Sequence, residues 1–291
     1  MSKVVSKRVR AYAKVNLALA VGPTIPEGQP KAGYHPVASW MHAVDLFDEI
    51  EITPAMESSY DIAWSDGTSI DWEVSNDLCV RSHQAIELVL GQALPIRLRL
   101  RKSIPAGGGL GGGSADAGAV LLALRDVFKL ELSDQQLVAI GYRLGTDVPF
   151  FIDPLTWSIG LPPRPALVSG VGDRIERTER LDDVITLYCP PFGCATAAVY
   201  QRFDQNPTSE CDEQRVRDLV GSGGMTQAGL FNDLAAAAES VEPRLSGIRR
   251  GLESSLAQPV HVSGSGSTLF ASGHTDPGVS AEVRVISTRL I

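Results

Sequence analysis

Six glycines crowd around one leucine in Pro105-Ala106-Gly107-Gly108-Gly109-Leu110-Gly111-Gly112-Gly113-Ser114, and the chain runs on into a stretch rich in Ala and Leu. Glycine takes positive φ without a Cβ penalty and lets backbone N–H groups approach an anion, so such a run at a helix start is a phosphate cradle. Ser114 is placed as the N-cap of that helix, whose dipole would face the same anion. The run does not close on Gly-Lys-Ser/Thr, which excludes a Walker loop. It does contain G-x-G-x-x-G at Gly107, Gly109 and Gly112, the spacing of a dinucleotide fold. The strand before it speaks against that fold. Ile96, Leu98 and Leu100 alternate with Arg97, Arg99 and Arg101, which leaves one face wet, whereas a central parallel strand is apolar on both faces.

Other groups capable of chemistry lie far away in sequence. Residues 9–21 alternate as a strand, which puts Lys14 and Asn16 on one face. The lysine is either a solvated edge charge or a working cation. Asp147 sits in Gly145-Thr146-Asp147-Val148-Pro149-Phe150, just past a helix end, as a turn-former or as a working carboxylate. Tyr34 and His35 follow a Pro/Gly loop and read as strand-end packing or as a binding pair. Ser263-Gly264-Ser265-Gly266-Ser267 offers small hydrogen-bonding groups, though a plain hairpin turn explains it nearly as well.

The elements that must position these groups follow from periodicity and caps. Strand is expected over 44–52, with Trp64 and Trp72 in hairpin strands. Helices are expected over 77–92, from Ser114 to about Phe128, and from Ser133 to Gly145, with Ser133 and Gln136 at capping-box spacing and Gly145 as a left-handed C-cap. The segment 154–165 carries four prolines and reads as irregular, which suggests a division into 1–165 and 166–291. Beyond it a strand is expected over 184–189, a helix over 196–203, a loop at Gly221, Gly223 and Gly224, helices over 232–241 and 243–256, and a strand, turn and strand over 260–271.

At 291 residues and 44% hydrophobic content the chain can bury a large core. A net charge of −8 with no basic stretch argues against a nucleic-acid partner. No apolar run reaches membrane-spanning length and no leader-like apolar segment follows Lys3, Lys7 and Arg8. Cys79, Cys189, Cys194 and Cys211 have neither C-x-x-C spacing nor histidines at ligand spacing. No protein metal site is expected, and reduced thiols in a cytoplasm are the simplest reading.

Taken in order, Ala13-Lys14-Val15-Asn16-Leu17, Gly33-Tyr34-His35, the glycine run from Pro105 to Ser114, Leu144 to Phe150, Asn232-Asp233-Leu234 and Val262 to Gly266 resemble the GHMP kinase superfamily, and more narrowly its cytidine-dependent branch. The resemblance spans nearly the whole chain. It implies a two-domain α/β (α+β) fold, with an ATP-binding domain over 1–165 and a substrate-side domain over 166–291. The implied activity is ATP-dependent phosphorylation, with Mg²⁺, of the 2-hydroxyl of 4-diphosphocytidyl-2-C-methyl-D-erythritol, in the non-mevalonate route to isoprenoid precursors. Carried over by motif, Asp147 is the general base and Lys14 the cation that keeps it ionised and stabilises charge on the transferring group. Pro105, Gly107, Gly108, Gly109, Leu110, Gly111, Gly112, Gly113 and Ser114 would hold the ATP phosphates, Ser114 facing a phosphate or the metal ion. Asn16, Tyr34, His35 and Tyr200 fall to the substrate, His35 reading the cytosine edge, Tyr34 stacking on its face and Tyr200 standing where a second aromatic is expected. A mevalonate or homoserine type of kinase, or a silent binding protein on the same fold, are the alternatives. The proline-rich 153–165 and the long loop over 22–32 depart from the family pattern.

Overall fold

Alternating and apolar stretches of the N-terminal half become long strands, and the Ala/Leu-rich stretches become the helices that cover them. The structure is a computed structural model, and it describes residues 6–225, 229–275, 278 and 282–291. In chain order the elements are strands β1 (Lys7–Val21), β2 (Val37–Pro54) and β3 (Ser59–Trp64), helix α1 (Leu78–Leu90), β4 (Ile96–Lys102), and helices α2 (Gly112–Phe128), α3 (Asp134–Leu144), α4 (Val148–Phe151) and α5 (Pro154–Trp157). Then come β5 (Ala166–Gly170), β6 (Arg174–Arg177), β7 (Val184–Cys189), α6 (Thr196–Phe203), α7 (Glu213–Gly221), β8 (Phe231–Asn232), α8 (Ala235–Val241), α9 (Pro243–Leu256), β9 (His261–Val262), β10 (Leu269–Ser272) and β11 (Arg284–Arg289). The mixture of strands and helices agrees with the α/β class expected from the sequence.

Two compact units share this chain, and they interleave it. The first holds Met1–Ala13, Leu46–Ile104 and Gly111–Pro163; the second holds Lys14–Asp45, Pro105–Leu110 and Arg164–Ile291. In the first unit β4 pairs antiparallel with residues 49–54 of β2 and parallel with β3. Its alternation is obeyed: Ile96, Leu98 and Leu100 are fully buried while Arg97 and Arg99 face outward. Helices α1, α2 and α3 pack on one another and α2 on α4. Close contact there needs small residues, because a Cβ on Gly118 would stand 2.9 Å from Cβ of Phe151. Asp77 caps α1 by accepting from the Cys79 N–H, and Gly91, with φ of 65°, closes it. The capping box expected at Ser133 and Gln136 starts α3.

In the second unit residues 37–41 of β2 pair antiparallel with β5, β5 pairs with β6, and β1 pairs parallel with β8 at Ala18 and Leu19. A separate sheet has the order β11-β7-β10-β9. Its core joins Leu19 and Val21 to Tyr188, Val199, Phe203, Leu234, Leu245, Leu252 and Leu269.

Several local expectations change. Helix α2 begins at Gly112 with Gly111 as N-cap at φ of 68°, so Ser114 lies inside the first turn and is not the cap. A glycine in the left-handed region turns the chain into the helix earlier than the serine would. Gly145 has φ of 178° and is extended, not left-handed, because the chain leaves α3 directly for α4. Trp72 lies outside any strand, Gly221 ends helix α7 instead of lying in a loop, Asn232 is in strand β8 ahead of α8, and the proline-rich segment holds the short helix α5.

Candidate active site

Strand β1 carries Lys14 and Asn16 into the interior of the second unit, where each is only 3% exposed. The reading of Lys14 as a solvated edge charge is therefore wrong: alternation along one strand does not reveal what covers its second face. The Lys14 ammonium donates to Asn16 Oδ1 at 2.5 Å and to the carbonyl oxygen of Gly109 at 2.9 Å. Asn16 Nδ2 donates to Ser39 Oγ at 2.8 Å, and Ser39 donates to the Ala18 carbonyl, so the amide is oriented from behind. The Lys14 backbone N–H donates to the Leu110 carbonyl at 2.9 Å.

The loop segment Pro105–Leu110 is stitched to the Gly/Ser turn that follows β9. Ser263 Oγ donates to the Gly109 carbonyl at 3.1 Å, and the Thr268 N–H donates to the Gly108 carbonyl at 3.0 Å. Asn232 Nδ2 donates to the carbonyls of Val262 and Gly264, holding that turn from β8. Glycine is needed here for a backbone reason. A Cβ on Gly109, at φ of 77°, would stand 2.1 Å from the Ser263 carbonyl oxygen, and one on Gly108 would stand 2.6 Å from Thr268 Oγ1.

The rest of the run belongs to the first unit. Gly111, Gly112 and Gly113 lead into α2, and Ser114 sits half-buried in its first turn. The N–H groups of that turn have no carbonyl one turn earlier to meet, and with the helix dipole they give this helix start the chemistry that can hold an anion. A Cβ on Gly145 would come 3.9 Å from Ser114 Oγ, so the segment that carries Asp147 lies beside the start of α2. Asp147 is half-buried and is the residue that precedes α4. Behind this turn lies a group the sequence did not suggest. Lys102 Nζ donates to Asp48 Oδ2 and to Asp116 Oδ2, both at 2.6 Å, with all three side chains buried. Asp48 Oδ1 also accepts from the N–H groups of Ser103 and Ile104, the residues that enter the glycine run. Burial lowers the affinity of Lys102 for its proton, but the two carboxylates outweigh it and raise the pKa. Burial drives the Asp116 carboxyl well above its usual range against the pull of Lys102.

In the second unit His35 Nε2 lies 2.7 Å from Asp204 Oδ1 and 2.9 Å from Thr24 Oγ1, and Thr24 donates to Asp204 at 2.8 Å. The ring of Tyr200 stands 4.8 Å from that of His35. Tyr34, next to His35, is 49% exposed and presents its ring outward. Burial raises the Asp204 pKa, but the bonds from His35 and Thr24 prevail and hold it below the usual value.

Sequence reasoning named Lys14, Asn16, Gly107 to Leu110, His35 and Tyr200, and the second unit brings the first of these groups onto the Ser263 turn and pairs His35 with Tyr200. It missed Asp204, Thr24, Ser39 and the Lys102 group. Asp204 lies one helical turn after Tyr200, a spacing that could have flagged it. Nothing local could have joined it to His35, which lies 169 positions earlier in the chain.

A glycine loop of neither Walker nor dinucleotide type, a buried lysine on it and a Gly/Ser turn behind it define a small-molecule kinase of the GHMP class. Residues 77–153 match the family model described as "GHMP kinases N terminal domain". The chain is 32% identical over 266 residues to a 4-diphosphocytidyl-2-C-methyl-D-erythritol kinase of Carboxydothermus hydrogenoformans, covering 90% of this chain and 86% of that one. It is 35% identical over 271 residues to the enzyme so named from Caulobacter vibrioides, covering 90% and 88%. A crystal structure of 4-(cytidine 5'-diphospho)-2C-methyl-D-erythritol kinase superposes with a TM-score of 0.74 at 26% identity, covering 98% of this chain and 99% of that one. The chain belongs to the 4-diphosphocytidyl-2-C-methyl-D-erythritol kinase family. A homoserine kinase from Cytophaga hutchinsonii, at 15% identity and a TM-score of 0.67, shares the fold.

Proposed function

We propose that this protein transfers the γ-phosphoryl group of ATP to the 2-hydroxyl of 4-diphosphocytidyl-2-C-methyl-D-erythritol, a step of the non-mevalonate route to isoprenoid precursors. The observation that carries the reading is the buried Lys14 ammonium fixed 2.9 Å from the Gly109 carbonyl, which places a cation on the phosphate loop itself. Phosphoryl transfer needs mainly positioning and charge stabilisation, and a lysine anchored to the loop backbone supplies both. Asp147 takes the proton of the attacking hydroxyl, since an alcohol is a weak nucleophile at neutral pH. The loop from Pro105 to Gly113, with the first turn of α2, holds the triphosphate. Among the described residues no group of three His, Cys, Asp or Glu side chains could hold a metal ion. That suits Mg²⁺ carried on the triphosphate, which keeps water ligands and takes one or two protein oxygens, and Ser114 Oγ is the group we assign to it. The ion would neutralise charge on the phosphates.

Tyr34, His35, Tyr200 and Asn16 are assigned to the cytidine-bearing substrate. The division of labour along the chain, 1–165 for ATP and 166–291 for the substrate side, is part of the same reading, although Lys14–Asp45 belongs to the second compact unit. No described helix is long and apolar enough to cross a membrane. We place the enzyme in the cytoplasm, where its nucleotide substrates are.

The test is ADP release with 4-diphosphocytidyl-2-C-methyl-D-erythritol, mevalonate and homoserine offered in parallel. Turnover with the first is expected; turnover with mevalonate or homoserine alone sinks the reading, and turnover with none favours a binding protein. Asp147→Asn should lose at least a hundredfold in kcat while ATP still binds by calorimetry; wild-type turnover would show that Asp147 is not the base.

A further inference from the structure

Asp204 stands where a carboxylate is electrostatically unwelcome. It is the C-cap of α6, at the negative end of the helix dipole, with its N–H bonded to the Tyr200 carbonyl. Its side chain is committed to two donors, Thr24 Oγ1 and His35 Nε2, on the same oxygen. The proton positions follow from this geometry. An ionised carboxylate only accepts, and Thr24 has one hydroxyl proton, which it gives to Asp204 at 2.8 Å. Nε2 of His35, 2.7 Å from the same carboxylate oxygen, must therefore carry a proton, because an unprotonated nitrogen would set lone pair against lone pair. The neutral ring is then the Nε2–H tautomer, with Nδ1 as a hydrogen-bond acceptor. Phe203, at 6.0 Å between ring centroids, and Tyr200 confine the ring, whose side chain is 10% exposed.

We propose that Asp204, assisted by Thr24, is a positioning and specificity-determining residue: it fixes His35 as the Nε2–H tautomer, so that Nδ1 accepts from the exocyclic amine of cytosine and rejects the carbonyl oxygen of uracil at the same place. The proposal rests on the assignment of His35 to the cytidine base made above. It adds a residue that acts through His35 and gives a reason why one pyrimidine is chosen over the other. Cytosine offers a donor at position four where uracil offers an acceptor, and an acceptor facing an acceptor leaves two desolvated oxygens or nitrogens unpaired.

The experiment uses the full-length enzyme with CDP and UDP as probes. The tautomer is read directly from two-bond ¹H–¹⁵N spectra of His35, where Nε2–H is expected and an Nδ1–H ring overturns the proposal. Wild-type enzyme should bind CDP about tenfold or more tightly than UDP. Asp204→Ala should bring the ratio near one, with the KM for ATP unchanged. Asp204→Asn keeps an acceptor oxygen for Nε2–H and should restore most of the preference; equal loss in both variants would mean that the tautomer is not what Asp204 controls. A wild-type enzyme indifferent to CDP overturns this proposal and the base-site assignment together. A wild-type preference that survives in folded Asp204→Ala overturns this one alone.

Discussion

Two buried lysines stand on strands of this protein, and they do opposite things. Lys102, at the end of β4 in the first unit, is 4% exposed and joins two carboxylates, Asp48 and Asp116, that are equally buried. Its charge is consumed in holding β2, the entry to the glycine run and α2 to one another. Lys14, on β1 in the second unit, is as buried, but the bonds described for it run to an amide oxygen and to the loop carbonyl of Gly109. One lysine is part of the frame and the other is part of the loop. A buried cation is thus no sign of function by itself; the chemistry of its neighbours decides.

The contrast can be broken most directly by removing each ammonium. Lys102→Met strands two buried carboxylates and should cost about 3–5 kcal/mol of stability, read as a fall in the urea midpoint. Lys14→Met should lower kcat at least a hundredfold, with less than half that stability loss. If the two variants showed the same balance of stability and activity, the distinction between frame and loop would be gone.

A buried group can also be kept neutral, and His42 sharpens the comparison. It is fully buried on β2, donates from Nδ1 to the Ala43 carbonyl and accepts the Leu181 N–H at Nε2, both at 2.9 Å. Burial first, and then Arg180, lower its pKa from 6.5 to about 4 against the opposing bond to Ala43. Between those values the unfolded chain binds the proton and the folded one does not. Stability from this group is therefore complete above pH 6.5 and is lost as pH falls to about 4, amounting to about 3 kcal/mol in all. The urea midpoint of wild type should fall over that window, and the fall should shrink in His42→Gln; an identical pH profile would show that His42 is not the titrating group.

A smaller effect is expected at Gly109. Replacement by Ala puts a methyl against the Ser263 carbonyl at a positive φ, and should cost about 1–3 kcal/mol with a rise in the KM for ATP. Wild-type KM in that variant would mean that the stitch between loop and turn does not shape the phosphate site.

The strand β4, the capping box of α3 and the glycine run were legible because each is a local pattern: a period of two, a serine three residues before a glutamine, and a residue type with its own φ range. The first turn of α2 was misplaced by a local rule applied too simply, since Ser114 has the chemistry of a cap but Gly111 has the backbone freedom to turn first. The burial of Lys14 was not legible. Its strand neighbours say which side chains share a face, and only the turn at Ser263 and the loop carbonyl of Gly109 say what lies over that face.

What the sequence determined by itself was the set of chemical groups and the short-range geometry of each: a glycine run with the backbone freedom of a phosphate cradle, a lysine and an asparagine two residues apart on a strand, a carboxylate just past a helix end, and a histidine after a Pro/Gly loop. What the tertiary structure decided was which of these groups are buried and which partners fix their protons. Lys14 meets Gly109 across 95 residues and His35 meets Asp204 across 169. Hydrogen bonds and desolvation act over a few ångströms of space, and distances along the chain do not enter them.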